Sequence, residues 1–301
     1  MDGVLVIDKP SGPTSHDIVA RVRGALREKR IGHTGTLDPL ATGVLPLVIG
    51  RATRLASFLS SGDKAYQAHV RFGSATATYD AAERLAAGQP PPPAPSIARE
   101  EVEQALEGFR GTYLQAPPPY SAKKIGGVAA YRLARRNMPA QPKPVPVTVS
   151  HLQLAEYENG LGVISVTATA GFYVRTLAHE LGASLGCGAH LERLRRTRAG
   201  GFTLDQAVAL DTVEREGGLG QIRFIPMESL LPDFPTVHLN DRGERRVCHG
   251  NAVSIEDVEP ESVRVLTGVG ENVRLVTRSG ALLAIANASS EGILRPRIVL
   301  V

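Results

Sequence analysis

Cysteine is scarce. Cys187 and Cys248 are the two among 301 residues, too few and too far apart for a disulfide framework or a four-cysteine zinc site. No run of about 18 consecutive apolar residues occurs, which argues against a membrane-spanning helix. The opening residues 1–10 have neither the basic start nor the small-residue cleavage site of a secretory signal. The glycine patterns of dinucleotide-binding and P-loop proteins are missing, and there is no internal repeat. A reducing cytoplasm is the expected setting, with no metal, redox cofactor or nucleotide expected.

What is there fits a globular chain, 43% hydrophobic and 21% charged, of a length suited to about two domains. Net charge is +4 with pI near 9.2. The positive charge gathers at Arg21, Arg23, Arg27, Lys29 and Arg30, again at Arg193, Arg195, Arg196 and Arg198, and again at Arg242, Arg245 and Arg246. Each cluster alone reads as a solvated face. Several together point to a polyanion, because phosphate neutralisation supplies sequence-independent affinity.

Hydrophobic periodicity predicts a short buried strand at residues 4–7. A helix follows, capped by Ser15 or Asp17, with Ile18, Val19, Val22 and Leu26 on one face. Residues 32–43 are rich in Gly, Thr and Pro and read as a loop, after which residues 44–49 return to the core. Tyr66, Ala68, Val70 and Phe72 alternate as in a half-buried strand. The proline run at 89–95 reads as a stiff linker. A helix is expected at 99–106, a loop at 115–124, strands at 145–156 and 162–170, and a helix at 173–185. Beyond Pro232, β-prone runs at 263–269, 273–277, 282–286 and 297–301 suggest a small separate β-rich domain.

The chemistry concentrates in Gly32-His33-Thr34-Gly35-Thr36-Leu37-Asp38-Pro39-Leu40-Ala41-Thr42-Gly43-Val44-Leu45. From the residues alone, Asp38 before a proline is a turn cap or a carboxylate presented on a loop as a nucleophile. Likewise His33 reads as a turn residue, Tyr66 as sheet filling and Arg175 as a surface arginine unless a site gathers them.

This stretch resembles the catalytic motif of TruB-type pseudouridine synthases, and the likeness spans residues 1 to about 230 in order. Residues 9–17, Lys-Pro-Ser-Gly-Pro-Thr-Ser-His-Asp, resemble the N-terminal motif of that family, and Lys64-Ala65-Tyr66 its aromatic strand. Pro118-Pro119-Tyr120-Ser121-Ala122-Lys123-Lys124, with Gly127 and Tyr131, resembles its RNA-gripping insertion. Residues 171–177 and 189–197 resemble its later motifs. Two departures stand out: Phe172 replaces a commonly small polar residue, and the turn at 78–82 follows the family's acidic turn loosely, leaving Asp80 without an assigned role.

The resemblance implies an α+β fold with a central mixed, largely antiparallel sheet flanked by helices. It places the catalytic domain at 1–232, with an insertion near 115–142, and a small PUA-like RNA-binding domain at 233–301. It implies Asp38 as nucleophile or ribose-stabilising carboxylate, Tyr66 stacking on the target base, Tyr173 beside it and Arg175 paired with Asp38. His33 would contact the flipped nucleotide and Leu194 would wall the pocket. Lys9, Lys64, Tyr120, Lys123 and Lys124 would bind substrate, with Tyr131, Arg132 and Arg135 adding to the grip. The implied activity is isomerisation of uridine 55 in the T-loop of tRNA, by a monomer needing no obligatory protein partner and no membrane.

The residue types suit that reaction. Breaking a glycosidic bond leaves positive charge on the sugar, which a carboxylate stabilises or traps. A single carboxylate suffices because the base is recaptured, and nothing is oxidised or reduced. Burial would raise the pKa of Asp38, while a guanidinium beside it would lower it. The base must leave its stack, at a cost of a few kcal/mol, of which one aromatic can return about 1–3 kcal/mol. Two other readings remain: a catalytic subunit guided by a separate RNA, as in dyskerin-type proteins, and a non-catalytic RNA-binding or chaperone protein. The compact N-terminus and the insertion favour the stand-alone enzyme.

Overall fold

The computed structural model describes residues 2–121, 123–130, 133, 142–216, 222–267, 272–289 and 292–301. Eleven strands make one mixed sheet, whose main path runs Val208–Ala209, Gly3–Lys9, Ala41–Ile49, Ala189–Ala199, Lys64–Phe72, Leu161–Ala168, Val145–Glu158 and Gly111–Gln115. The first two of these strands pair in parallel, as do Ala41–Ile49 and Ala189–Ala199; the other pairs on the path are antiparallel.

Strand alternation splits the core in two. Leu5, Ile7, Leu45, Leu47 and Ile49 face one side, where they meet Ile18, Val19 and Val22 of the helix Ser15–Leu26 and Leu177 and Leu181 of the helix Val174–Ser184. Val4, Val6, Val44 and Val48 face the other, where they meet Ala52, Leu55, Val276, Leu282, Ile285 and Leu300. The C-terminal residues build a second sheet, in the order Thr236–His238, Asn272–Val276, Leu282–Ala288 and Leu294–Val299. That sheet has its own core around Val237, Leu239, Val247, Leu275 and Leu294, yet also closes the back of the main sheet.

Local expectations hold with adjustments. The first helix is capped by Thr14, not by Ser15 or Asp17; Asp17 returns the bond to the Thr14 N–H in a capping box. The loop expected over 32–43 shrinks at both ends, since Ile31–His33 and Ala41–Ile49 are paired strands. The strand expected at 263–269 is instead a 3-10 helix, Pro260–Thr267, in its described part. Pro260 has no N–H for a ladder, and Ser262 uses its hydroxyl to accept from the His238 N–H. Among the elements that escaped the periodicity reading are the strands Gly111–Gln115 and Ala189–Ala199 and the helices Leu210–Glu216 and Asp241–Cys248.

Candidate active site

Three short segments hold the loop that carries Asp38. Ser15 is buried at the start of the first helix; its hydroxyl accepts from the Leu37 N–H at 2.8 Å and donates to the Leu37 carbonyl. The Gly12 N–H donates to the Pro39 carbonyl at 2.8 Å. Lys9 donates to the carbonyls of Pro10, Pro39 and Ala41, the last at 2.8 Å. Residues on both sides of Asp38 are therefore fixed by the N-terminal motif, and its side chain, 37% exposed, is left facing open space.

Across from it stands Arg175, buried in the first turn of the helix Val174–Ser184. Its Nε lies 2.9 Å from Asp38 Oδ2, and its Nη2 donates to Asp38 Oδ1 at 3.3 Å. The remaining N–H groups donate to the Tyr120 carbonyl at 2.9 Å and the Thr78 carbonyl at 3.1 Å. Asp80 Oδ2 is 3.6 Å from Nη1, so two carboxylates share one guanidinium. Burial pushes the Asp38 carboxyl above its ordinary range; Arg175 pulls it back and Asp80 pushes it up. Because water still reaches Asp38, Arg175 needs to supply part of the compensation, not all of it.

The floor of the site is one register row across the sheet. Lys9 faces Gly43, Gly43 faces Arg196, Arg196 faces Tyr66, and Tyr66 faces Val166. Directly opposed residues point to the same face, so the Lys9, Arg196 and Tyr66 side chains all rise under the loop. Gly43 has φ +98, and a Cβ there would meet the Arg196 carbonyl oxygen at 2.2 Å, so this position admits no side chain. One row along, Leu194, 7% exposed, sits between Ala41 and Ala68.

Tyr173 occupies the cap position of the Arg175 helix. Its backbone is clamped by Gln115, which accepts from the Tyr173 N–H at 2.7 Å and donates to its carbonyl at 3.2 Å. Burial raises the phenol pKa of both Tyr173 and Tyr66, with the Asp38 charge adding to it and an arginine opposing it in each case. His33 ends its short strand with its ring edge-on to His16, 5.5 Å between centroids. Burial, then His16 and Arg196, lower its pKa, which favours the neutral ring.

Asp38 pairs with Arg175, its charge reaches Tyr66 and Tyr173, Arg196 acts on both His33 and Tyr66, and Leu194 is one row from Arg196 on the same strand. Lys9 and Lys64 do not offer their charge to a ligand there. Lys9 is fully buried, and Lys64, 8% exposed, donates to the carbonyls of Ser60 and Gly62. Burial lowers both ammonium pKa values to about 8. Both lysines, expected on the substrate, spend donors on backbone carbonyls here. Tyr120 is half-buried and contributes its carbonyl to Arg175; Lys123 is exposed. The backbone of Lys124 opens a hairpin with Val128–Ala129, turning on Gly126 and Gly127 at φ +57 and +85; its side chain, like Tyr131, Arg132 and Arg135, lies outside the described residues. Ser15, Asp80, Gln115 and Arg196 were missed by the sequence reading. The loosely matching acidic turn was a signal for Asp80, and the N-terminal motif for Ser15. Among the described residues no cluster of metal-binding side chains occurs, and no helix is long and apolar enough to cross a membrane.

Comparisons with known proteins give the family and the fold. The family model described as TruB family pseudouridylate synthase (N terminal domain) matches residues 23–174. That described as tRNA pseudouridylate synthase B C-terminal domain matches 175–231. A protein of Solibacter usitatus named tRNA pseudouridine synthase B is 42% identical over 304 residues, covering 100% of both chains. One of the same name from Symbiobacterium thermophilum is 45% identical over 258 residues, 85% of this chain and 84% of its own. A third, from Pseudomonas aeruginosa, is 38% identical over 303 residues, 99% and 95% of the two chains. The fold is shared with a chain of the archaeal box H/ACA sRNP Nop10-Cbf5 complex: TM-score 0.73, 24% identity, 99% of this chain and 86% of that one.

Proposed function

This chain belongs to the TruB family of pseudouridylate synthases, and we propose that it converts uridine 55 in the T-loop of tRNA to pseudouridine. The observation that carries the reading is the ion pair of Asp38 with Arg175, on a loop pinned from both sides and open on the third. The flipped uridine enters between Tyr66 and Leu194, with His33 at its edge. Asp38, held ionised by Arg175, stabilises or traps the charge that develops as the N-glycosidic bond breaks. The base turns, its C5 bonds to the ribose C1′ and gives up its proton to water, and N1, freed from the sugar, takes a proton up. Electrons balance within the substrate, so no cofactor takes part. Tyr173 lies against Arg175 and Asp38, and its raised phenol pKa favours a neutral hydrogen-bonding role over a basic one in the resting site.

Residues 1–232 form the catalytic domain in this reading, and 233–301 a PUA-like unit that holds the RNA. The end of the family match at residue 231 and the separate sheet that begins at Thr236 support that division. Purified protein incubated with unmodified tRNA, followed by pseudouridine mapping, is the test. Product confined to position 55 without any added RNA is expected. Product formed solely with a guide RNA would favour the RNA-guided reading, and no product under either condition would overturn the assignment.

A further inference from the structure

Arg196 is among the largest fully buried side chains of the protein, 1% exposed. Burying a guanidinium is costly, and the usual remedy is a carboxylate partner. Arg196 instead donates from Nε to the Val44 carbonyl at 2.8 Å and from Nη2 to the Gly35 carbonyl at 3.1 Å. Those carbonyls flank the two ends of the loop that presents Asp38. Arg196 is also the direct cross-strand partner of Tyr66, so the two side chains rise from the same face of the sheet, and its charge lowers the Tyr66 phenol pKa against the effect of burial. Space for this arrangement comes from two glycines. Gly43 lets the backbone pass against the Arg196 carbonyl, and a Cβ on Gly35 would lie 3.3 Å from Arg196 Nη1.

We propose that Arg196 is a positioning residue for the isomerisation: its buried guanidinium sets the Tyr66 phenol at a fixed distance from the loop that carries Asp38. A planar fork can hold a phenol and two carbonyls at once, which a lysine ammonium on a flexible stem does not reproduce. The base-receiving wall and the charge-bearing loop belong to strands and turns far apart in sequence. Arg196 bonds to the loop and stands beside Tyr66 on the neighbouring strand. This inference rests on the pseudouridine synthase reading of the site.

A double-mutant cycle tests it, with single-turnover rates on saturating tRNA as the readout and tRNA affinity measured alongside. Arg196→Lys and Tyr66→Phe are made singly and together. Each single change is expected to slow the bound step by about tenfold or more while affinity shifts less than about threefold, and the double variant is expected to be no slower than the slower single one. Gly35→Ala provides the same test with Arg196 intact, because its methyl group displaces the guanidinium from the outside. Gly35→Ala is expected to slow the protein that has Tyr66 and to leave the Tyr66→Phe protein nearly unchanged. This arm decides the matter if Arg196→Lys does not fold. Rates that multiply independently in the cycle, or equal slowing by Gly35→Ala in both backgrounds, overturn the proposal. Absence of pseudouridine from the unaltered protein would instead count against the assigned reaction.

Discussion

In the strand Ala189–Ala199 arginines fall on alternating faces. Arg196 goes inside and binds carbonyls, while Arg195 goes to the other face and pairs with Asp8 at 2.8 and 3.0 Å. In the helix Asp241–Cys248 a run of three arginines keeps its charge outside. Gly243 and Val247, four apart, are buried there. Arg242, with a side chain 54% exposed, and Arg246, 42% exposed, pair with Asp257, and Arg242 also with Glu256. A period of two sends every second side chain to the interior, whereas a period near 3.6 can keep a whole arc of cations in water. The two regions should therefore fail differently. Changes at the loop and its supporting strands should alter the rate of the bound complex or the stability of the fold. Changes on the helix should alter RNA affinity.

The comparison breaks first at Asp38. Asp38→Asn keeps the shape and removes the charge, and turnover is expected to fall by about 10³-fold or more, with tRNA affinity and melting temperature near those of the unaltered protein. Near-normal single-turnover rates would remove Asp38 from the chemistry. A weakened affinity with unchanged rate would place the loop in the same class as the helix.

Arg175→Met sharpens the electrostatic half of the argument. Asp38 works ionised, so activity is present above its pKa and lost as pH falls through it. Burial and Asp80 raise that pKa and Arg175 lowers it, so removing the guanidinium moves the acid limb of the rate profile to higher pH. Breaking a buried pair costs about 3–5 kcal/mol. Solvent access to Asp38 screens part of this, and about 10²-fold in rate near neutral pH is expected. An acid limb that stays in place, or moves down, would show that Arg175 does not set the ionisation of Asp38.

Glycines separate the same two regions by stability. Gly43 and Gly250 both have positive φ, +98 and +74. A Cβ at Gly43 collides with the Arg196 backbone, while one at Gly250, just past the helix Asp241–Cys248, meets nothing within 4 Å. Gly250→Ala should cost about 1 kcal/mol from left-handed strain alone. Gly43→Ala adds an overlap between strands, and a loss of about 3 kcal/mol or more is expected. Thermal melts of the two variants decide it, and equal shifts would show that the sheet yields at Gly43.

How much of this was legible in the sequence depends on whether local pattern or register set the outcome. The helix Arg99–Leu106 and the strand Lys64–Phe72 follow their apolar spacing. The pairing of Asp38 with Arg175, 137 residues apart, entered through the motif resemblance and reappears in the geometry. What periodicity could not supply was the row Lys9, Gly43, Arg196, Tyr66, because strand order and register are set by long-range pairing. For that reason Arg196 read as one member of a charged patch, and the burial of Lys9 beneath the loop was not visible. The helix Asp241–Cys248 was hidden for a different reason: its buried positions are Gly243 and Val247, and a glycine adds no apolar side chain to the pattern, whereas Arg99–Leu106 buries Val102 and Leu106.

The smallest expected effect lies on that helix. Arg245 is exposed between Arg242 and Arg246, the two arginines that share Asp257. If the C-terminal unit grips RNA, Arg245 meets a phosphate through charge alone, without base-specific geometry. Arg245→Glu should then weaken tRNA binding several-fold near physiological salt and lower the slope of log affinity against log salt by about 1. The single-turnover rate at saturating tRNA should not change, since among the described residues no hydrogen bond or ion pair joins this helix to the Asp38 loop. Affinity measured across a salt series, beside the rate at saturation, separates the outcomes. A changed rate would mean that the helix communicates with the loop through packing alone. Unchanged affinity and slope would mean that the exposed arc of the helix faces water in the complex, leaving the RNA to be held by the catalytic domain.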